Sequence, residues 1–485
     1  MTQQELWRLD AYEVRSQLQA GSVSPVELVE AAAARIEAVE GALNALPTLS
    51  LKRALDHART LMAKDRDKRG AAHLHGIPMV VKDLTAVAGV RHTDGSLVHK
   101  DRVAQRSDLL VERLEAHGAI VLGKSNTPEF GAGGNTVNAV FGATANPWDL
   151  SRTTGGSSGG SAAALATGQA WLATGNDMAG SIRIPSAFCG VVGLRPSPGR
   201  VAHGPLPLSF GMLNVDGPMA RTVRDVAMMF DAMVGEHPED PISLPAPTQP
   251  FMDAVDHPTM PARVAWSATL GLGPVDPDIR RVCEASLGHF SDAGARVDAA
   301  SPDLTGAELC FRVLRNAQRA AARELLEQQS DRLSPEIVHY TRQGLAQTAD
   351  QIAQAELLRA DIYARVIRFF RDYDLLVTPT VMAPPFDLRV RHLMEVDGTR
   401  FDDFFSWLVL TYAITITACP AISVPCGFTT SGLPVGLQIV APPRCEARLL
   451  SAAALFEQAA GLNRLLPIDP RGASSFDPRQ QGRPE

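Results

Sequence analysis

The chain is poor in the features that mark several protein classes. Its 485 residues hold six cysteines, Cys189, Cys283, Cys310, Cys419, Cys426 and Cys445, and none forms a CxxC pair. So few cysteines in so long a chain fit buried thiols in a reducing, cytoplasmic setting better than a disulfide scaffold. No HExxH or paired-cysteine spacing offers a metal site, and neither metal nor cofactor is expected. No apolar run reaches the ~20 residues that a membrane span needs. The richest, residues 414–425, is broken by polar residues and Pro420. The first residues, Met-Thr-Gln-Gln-Glu-Leu-Trp, lack the basic segment and apolar run of a signal peptide. A basic excess is also missing. Lys and Arg total 46 against 53 Asp and Glu, a net charge of −7, with no Lys/Arg run. Neither nucleic acid nor membrane is therefore an expected partner.

What is present is the composition of an ordered globular chain, 45% hydrophobic and 20% charged. A chain of this length buries roughly three-quarters of its unfolded surface and needs no staples. Ser24-Pro25-Val26-Glu27 is a capping box with Pro at the first helical position, and Gly41 is placed to end that helix. Apolar stretches at 77–81 and 119–122 read as buried strands, and 109–116 between them as a helix. That order predicts a parallel crossover in an α/β sheet. Residues 162–173 read as a helix, 147–154 as a poor strand, and 223–233 as a helix closed by Gly235. Pro238, Pro241, Pro245, Pro247 and Pro250 mark an irregular seam at about 236–262. Further on, 263–266 and 375–378 read as strands and 352–370 as a helix. Residues 421–424 and 435–440 read as strands joined by a Gly-containing turn. The polar end, 471–485, is expected to fray.

Three segments carry candidate chemistry. Gly118-Ala-Ile-Val-Leu-Gly123-Lys124-Ser125 matches the GxxxxGK[ST] phosphate pattern, but its apolar interior favours a buried strand over a cradle of inward N–H groups. Gly155-Gly156-Ser157-Ser158-Gly159-Gly160-Ser161 contains GxSxG twice and runs into a helix. A nucleophile elbow would need a good strand before it and a later Asp/Glu and His; His339 and His392 qualify by order alone. Downstream, small residues before Ser181 in Gly175-Asn176-Asp177-Met178-Ala179-Gly180-Ser181 let backbone N–H groups approach a ligand, as an oxyanion hole requires. Lys82 closes the 77–81 strand. Its ordinary fate is a solvated strand end. Buried, its pKa falls and it becomes a neutral base.

Together these residues resemble the amidase signature family of hydrolases. The resemblance rests on 155–161, on Gly180-Ser181-Ile182-Arg183-Ile184-Pro185, and on Phe188-Cys189-Gly190-Val191-Val192-Gly193-Leu194-Arg195-Pro196. Lys82 lies 75 residues before Ser157, and Ser181 lies 24 after it. Weaker similarity extends through 216–221, 420–425 and 432–438. The resemblance implies a single large α/β domain over 1–470, a mixed sheet covered by helices on both faces, with the catalytic core at about 70–235. It implies an amidase that cleaves a C–N acyl bond through a serine acyl-enzyme. Ser181 would be the nucleophile, Ser157, at a cis peptide bond, the proton relay, and Lys82 the base. The backbone N–H groups of Met178, Ala179, Gly180 and Ser181 would form the oxyanion hole, with Ser158, Asp177 and Arg183 as organisers. Ala179 stands where the family usually has glycine. The Asn-Asp-x-Ala-Gly-Ser variant resembles the branch with the cyclic 6-aminohexanoate dimer hydrolase.

The expected substrate is a small linear, cyclic or aryl amide, with carbamate and ester side activity open. Its selectivity should lie in Met178 and in segments near 300–345 and 380–415. A homo-oligomer is compatible with the sequence. Two alternatives stand beside this reading. One is the glutaminase subunit of a tRNA-dependent amidotransferase, which typically has Gln where this chain has Ile184. The other is a Ser-His-Asp esterase of the α/β-hydrolase type.

Overall fold

Consecutive strand residues point to opposite faces of a sheet, so a strand buried at every position must be covered on both sides. In the computed structural model this holds for Pro78–Lys82, Ile120–Ser125, Leu172–Asp177, Val215–Ala220 and Pro434–Val440. The structure describes residues 3–63, 70, 72–205, 208–472 and 479.

One eleven-stranded sheet runs through the chain. In chain order its strands are β1 (Thr48–Leu49), β2 (Pro78–Lys82), β3 (Ile120–Ser125), β4 (Leu172–Asp177), β5 (Val192–Arg195), β6 (Val215–Ala220), β7 (Arg263–Trp266), β8 (Arg296–Ala299), β9 (Leu375–Pro379), β10 (Ala421–Phe428) and β11 (Pro434–Val440). Their spatial order is β1-β3-β2-β4-β6-β5-β10-β11-β9-β7-β8. β2 pairs in parallel with β3 and with β4. Through the centre, β6, β5, β10 and β11 pair antiparallel, and the β9-β7-β8 edge is parallel again. The result is a mixed α/β sheet with helices on both faces, as the sequence predicts.

Local signals account for much of this. Helix α1 (Pro25–Leu43) starts at the Ser24 capping box, where Glu27 reaches back to the Ser24 N–H at 2.8 Å. It runs through Gly41 and ends at Asn44, whose φ of 55° supplies the left-handed turn expected of the glycine. Helix α2 (Leu109–Ala116) joins β2 to β3 in the anticipated parallel crossover. Three expectations fail. The helix read over 162–173 is two elements, α3 (Gly159–Ala166) and β4. Gly168, with a φ of 73°, turns the chain between them. Residues 149–153 do form a strand, but it pairs with 145–146 in a separate two-stranded ribbon, not in the main sheet. After the short helix α4 (Arg183–Cys189), helix α5 (Val223–Met233) closes at Val234, before Gly235. Of the tail expected to fray, only Arg471, Gly472 and Arg479 are among the described residues.

Candidate active site

Parallel β2 and β4 end side by side, so Lys82, the last residue of β2, meets the C-terminal end of β4. Crevices at the carboxyl ends of parallel strands are common ligand sites. Alternation along β4 turns Thr174 and Asn176 to the same side. The backbone N–H of Lys82 donates to Thr174 Oγ1 at 3.1 Å, and Lys82 Nζ donates to Asn176 Oδ1 at 2.7 Å. The same Nζ lies 2.6 Å from Ser157 Oγ. Lys82 is fully buried, and no carboxylate pairs with it among the described residues. Burial pushes its amine down to about 7, although Asp177 and Asp216 pull the other way.

Ser157 sits in the turn before α3, and the Gly156–Ser157 peptide bond is cis. Ser181 sits in the turn between β4 and α4. The two turns are tied through the backbone, with the Ser158 N–H donating to the Ser181 carbonyl at 3.1 Å. No hydrogen bond joins Ser157 Oγ to Ser181 Oγ, but both residues line one cavity. The Ser158 hydroxyl is buried without a partner among the described residues.

Asp177 holds the loop that follows. Its carboxylate accepts from the Gly180 N–H at 2.9 Å and the Ile182 N–H at 3.2 Å. Arg183 grips it from the side at 3.0 Å through Nε and 2.9 Å through Nη2. Burial alone would raise this carboxyl. The Arg183 and Arg195 guanidiniums reverse that and hold it well below the usual carboxylate range. Arg195 also donates to the Asp177 carbonyl oxygen. Arg183 is anchored in turn by Gln438 Oε1 at 2.5 Å and the Thr411 carbonyl at 3.0 Å. The Thr411 hydroxyl donates to the Ala179 carbonyl at 2.7 Å.

This network divides the four candidate oxyanion donors. The Gly180 N–H is engaged by Asp177, whereas those of Ala179 and Ser181 have no acceptor among the described residues. Gly180 has a φ of 101°, while Ala179 has an ordinary negative φ, so alanine is unstrained there. The left-handed position is the one that kept its glycine.

The cavity is about 580 Å³, the size of a small-molecule site. Ser157, Asn176, Met178, Ala179 and Ser181 form its floor, and Phe130, Ile184, Arg315 and Phe405 are among its walls. Met178 and both flanking segments singled out for selectivity thus contribute lining. His339 and His392 do not; they bond Gln343 and Glu336 instead. His203 lines the cavity with its Nδ1 3.5 Å from Asp216, but no serine hydroxyl is bonded to it. Lys124 of the phosphate-like pattern lies in β3 and is buried against Asp83 at 2.9 Å. Among the described residues no cluster could hold a metal, and no helix is long and apolar enough to cross a membrane. Sequence reasoning gave no role to Asn176. The signal was the two-residue alternation of β4, hidden because 172–173 read as helix.

The Amidase family profile matches residues 27–450. An acylamidase of Rhodococcus erythropolis is 37% identical over 461 residues, covering 94% of this chain and 96% of its own. The glutamyl-tRNA(Gln) amidotransferase GatA-type chain of Moorella thermoacetica is 33% identical, with coverage of 96% and 99%. Among solved structures, a bacterial aryl acylamidase of the amidase signature family superposes with a TM-score of 0.87 at 27% identity, covering 94% of this chain and 98% of that one. The 6-aminohexanoate cyclic dimer hydrolase complexed with substrate superposes at 0.84 and 28% identity, with coverage of 94% and 98%. The chain belongs to the amidase signature family, and it is an amide hydrolase.

Proposed function

We propose that the protein cleaves the C–N acyl bond of a small amide through an acyl-enzyme on Ser181. The observation that carries this is the buried Lys82 amine, 2.6 Å from Ser157 Oγ at the floor of the cavity that Ser181 also lines. Neutral Lys82 takes the Ser157 hydroxyl proton as Ser157 takes that of Ser181, and Ser181 Oγ bonds to the amide carbon. Rotation of the Ser181 side chain toward Ser157 completes the relay; such catalytic hydrogen bonds tighten as substrate binds. The N–H groups of Ala179 and Ser181 receive the negative oxygen, each such donor being worth about 3–4 kcal/mol of barrier. Gly180 holds the loop through Asp177 instead. As the C–N bond breaks, the proton passes back through Ser157 to the leaving nitrogen. Water then repeats the relay and releases the acid, so Lys82 starts and ends neutral. No step needs a metal or histidine.

The names of the similar proteins favour acyl, aryl-acyl or cyclic amides, and the cavity admits any of these. Replacing Ser181 with alanine should lower kcat on acyl anilides by roughly a thousandfold or more, with the melting temperature close to wild type. Activity within tenfold of wild type in folded protein would end the proposal.

The similarity to amidotransferase chains favours a second reading, a glutaminase that works with partner chains. Against it, the position where that resemblance calls for glutamine is Ile184, an apolar wall of the cavity. Glutaminase activity that depends on two co-purifying chains would reverse the preference.

A further inference from the structure

Helix α6 (Ala307–Arg319) and the 3₁₀ turn after it present Arg315, Gln318, Arg319 and Ala322 to the cavity. The spacing i, i+3, i+4, i+7 is one helix face. Two like charges four residues apart on such a face repel, so something must offset them. Arg315 is only 4% exposed. Its guanidinium lies 3.8 Å from the Phe405 ring centre and 4.2 Å from that of Tyr340. Nη1 donates to Asn316 Oδ1 at 3.0 Å, and Nη2 is buried with no partner among the described residues. Arg319 donates only to the Phe130 carbonyl, at 3.2 Å.

Carboxylates nearby do not neutralise the pair. Asp403, toward Arg315, accepts from the Tyr340 hydroxyl at 3.1 Å and the Phe405 N–H at 2.8 Å. Glu129, toward Arg319, accepts from the Ser96 hydroxyl at 2.7 Å and the Ser334 N–H at 2.8 Å. Burial, and then Arg319, push the Arg315 guanidinium down to about 9, and it stays a cation at neutral pH. A buried cation with an idle donor is costly until an anion reaches it. The rings fix the guanidinium plane, which suits a planar, two-oxygen acceptor.

We infer that the amide this enzyme cleaves carries a carboxylate remote from the scissile bond, held by Arg315 with Arg319 beside it. This rests on the proposal that the cavity is the substrate site, and it adds a substrate class to that proposal.

The test uses matched p-nitroanilides and the intact protein: hexanoyl against adipoyl mono-p-nitroanilide, and butyryl against succinyl. Acetanilide against N-acetyl-4-aminobenzoate places the charge on the amine side. In wild type, at least one carboxylated member should be preferred in kcat/KM by roughly tenfold to a hundredfold. Arg315→Gln should cut that preference at least tenfold, chiefly through KM, and Arg315→Lys should restore part of it. No preference in any wild-type pair, or one that survives Arg315→Gln, overturns the inference. If wild type cleaves none of these amides, the hydrolytic reading fails separately. Calorimetric titration of Ser181→Ala protein with adipate and with hexanamide then decides the anion site. Adipate binding that disappears on adding Arg315→Gln upholds it, and adipate binding no better than hexanamide overturns it.

Discussion

Lys82 keeps its amine where a charge is hard to hold. Below its midpoint the nitrogen is an ammonium and cannot accept the Ser157 proton; above it the lone pair is free. Activity should therefore rise with pH through a midpoint near 7, where burial places the amine, and level off on the alkaline side. A flat kcat/KM profile between pH 5.5 and 9 would remove Lys82 as the base. Asn176 refines the test. Its Oδ1 accepts from Nζ at 2.7 Å, a bond that favours the ammonium over the amine. Asn176→Leu keeps the volume and deletes the acceptor. The midpoint should move to lower pH, and kcat should fall roughly tenfold as Nζ loses its anchor. A midpoint that stays or rises would show that Asn176 does not set the protonation of Lys82.

At the scale of elements, the turn between β4 and α4 is shaped by one position. A Cβ at Gly180 would collide with Thr411 Oγ1 and would meet Thr411 Cβ at 2.5 Å, on a residue already at a φ of 101°. Thr411 is also the clamp on the Ala179 carbonyl. Gly180→Ala should destabilise the fold by about 1–3 kcal/mol. It should also lower kcat/KM more than tenfold by displacing the Ala179 and Ser181 N–H groups; thermal melting and steady-state kinetics on an acyl anilide measure the two effects. Wild-type kinetics would show that the turn tolerates a side chain and does not position donors. This turn also marks how far the sequence could be read. Helix α2 and the β10–β11 hairpin were legible because capping residues and periodic apolar positions act locally. Residues 162–173 were not. Alanine favours helix through Ala166, and nothing in the composition of Leu172–Asp177 tells a buried parallel strand from a buried helix. Lys82, Ser157 and Ser181 were legible through motif spacing. Asn176, Thr411 and the cavity face of α6 were not, because their roles exist only once distant segments meet.

For the whole molecule, the sheet that buries Lys82 sets a link between activity and stability. In the unfolded chain the amine titrates near 10.5, and in the folded chain near 7. Between those values the unfolded state binds more protons, so stability rises with pH across this window. Below pH 7 the full shift costs about 5 kcal/mol, at 1.36 kcal/mol per unit; above 10.5 it costs nothing. The slope separates this effect from others. Lys82→Met deletes the titrating group and leaves Ser157 Oγ and Asn176 Oδ1 without a partner, a loss that does not vary with pH in this range. The absolute gap between variant and wild type thus mixes two terms, but its change with pH reports one. Denaturant unfolding at pH 7 and pH 9 should show wild type gaining about 2–3 kcal/mol relative to Lys82→Met. A gap constant to within about 0.5 kcal/mol would mean that the amine stays charged in the fold. It would then enter the reaction as an ammonium, and the base that activates Ser181 would have to be sought elsewhere in the cavity.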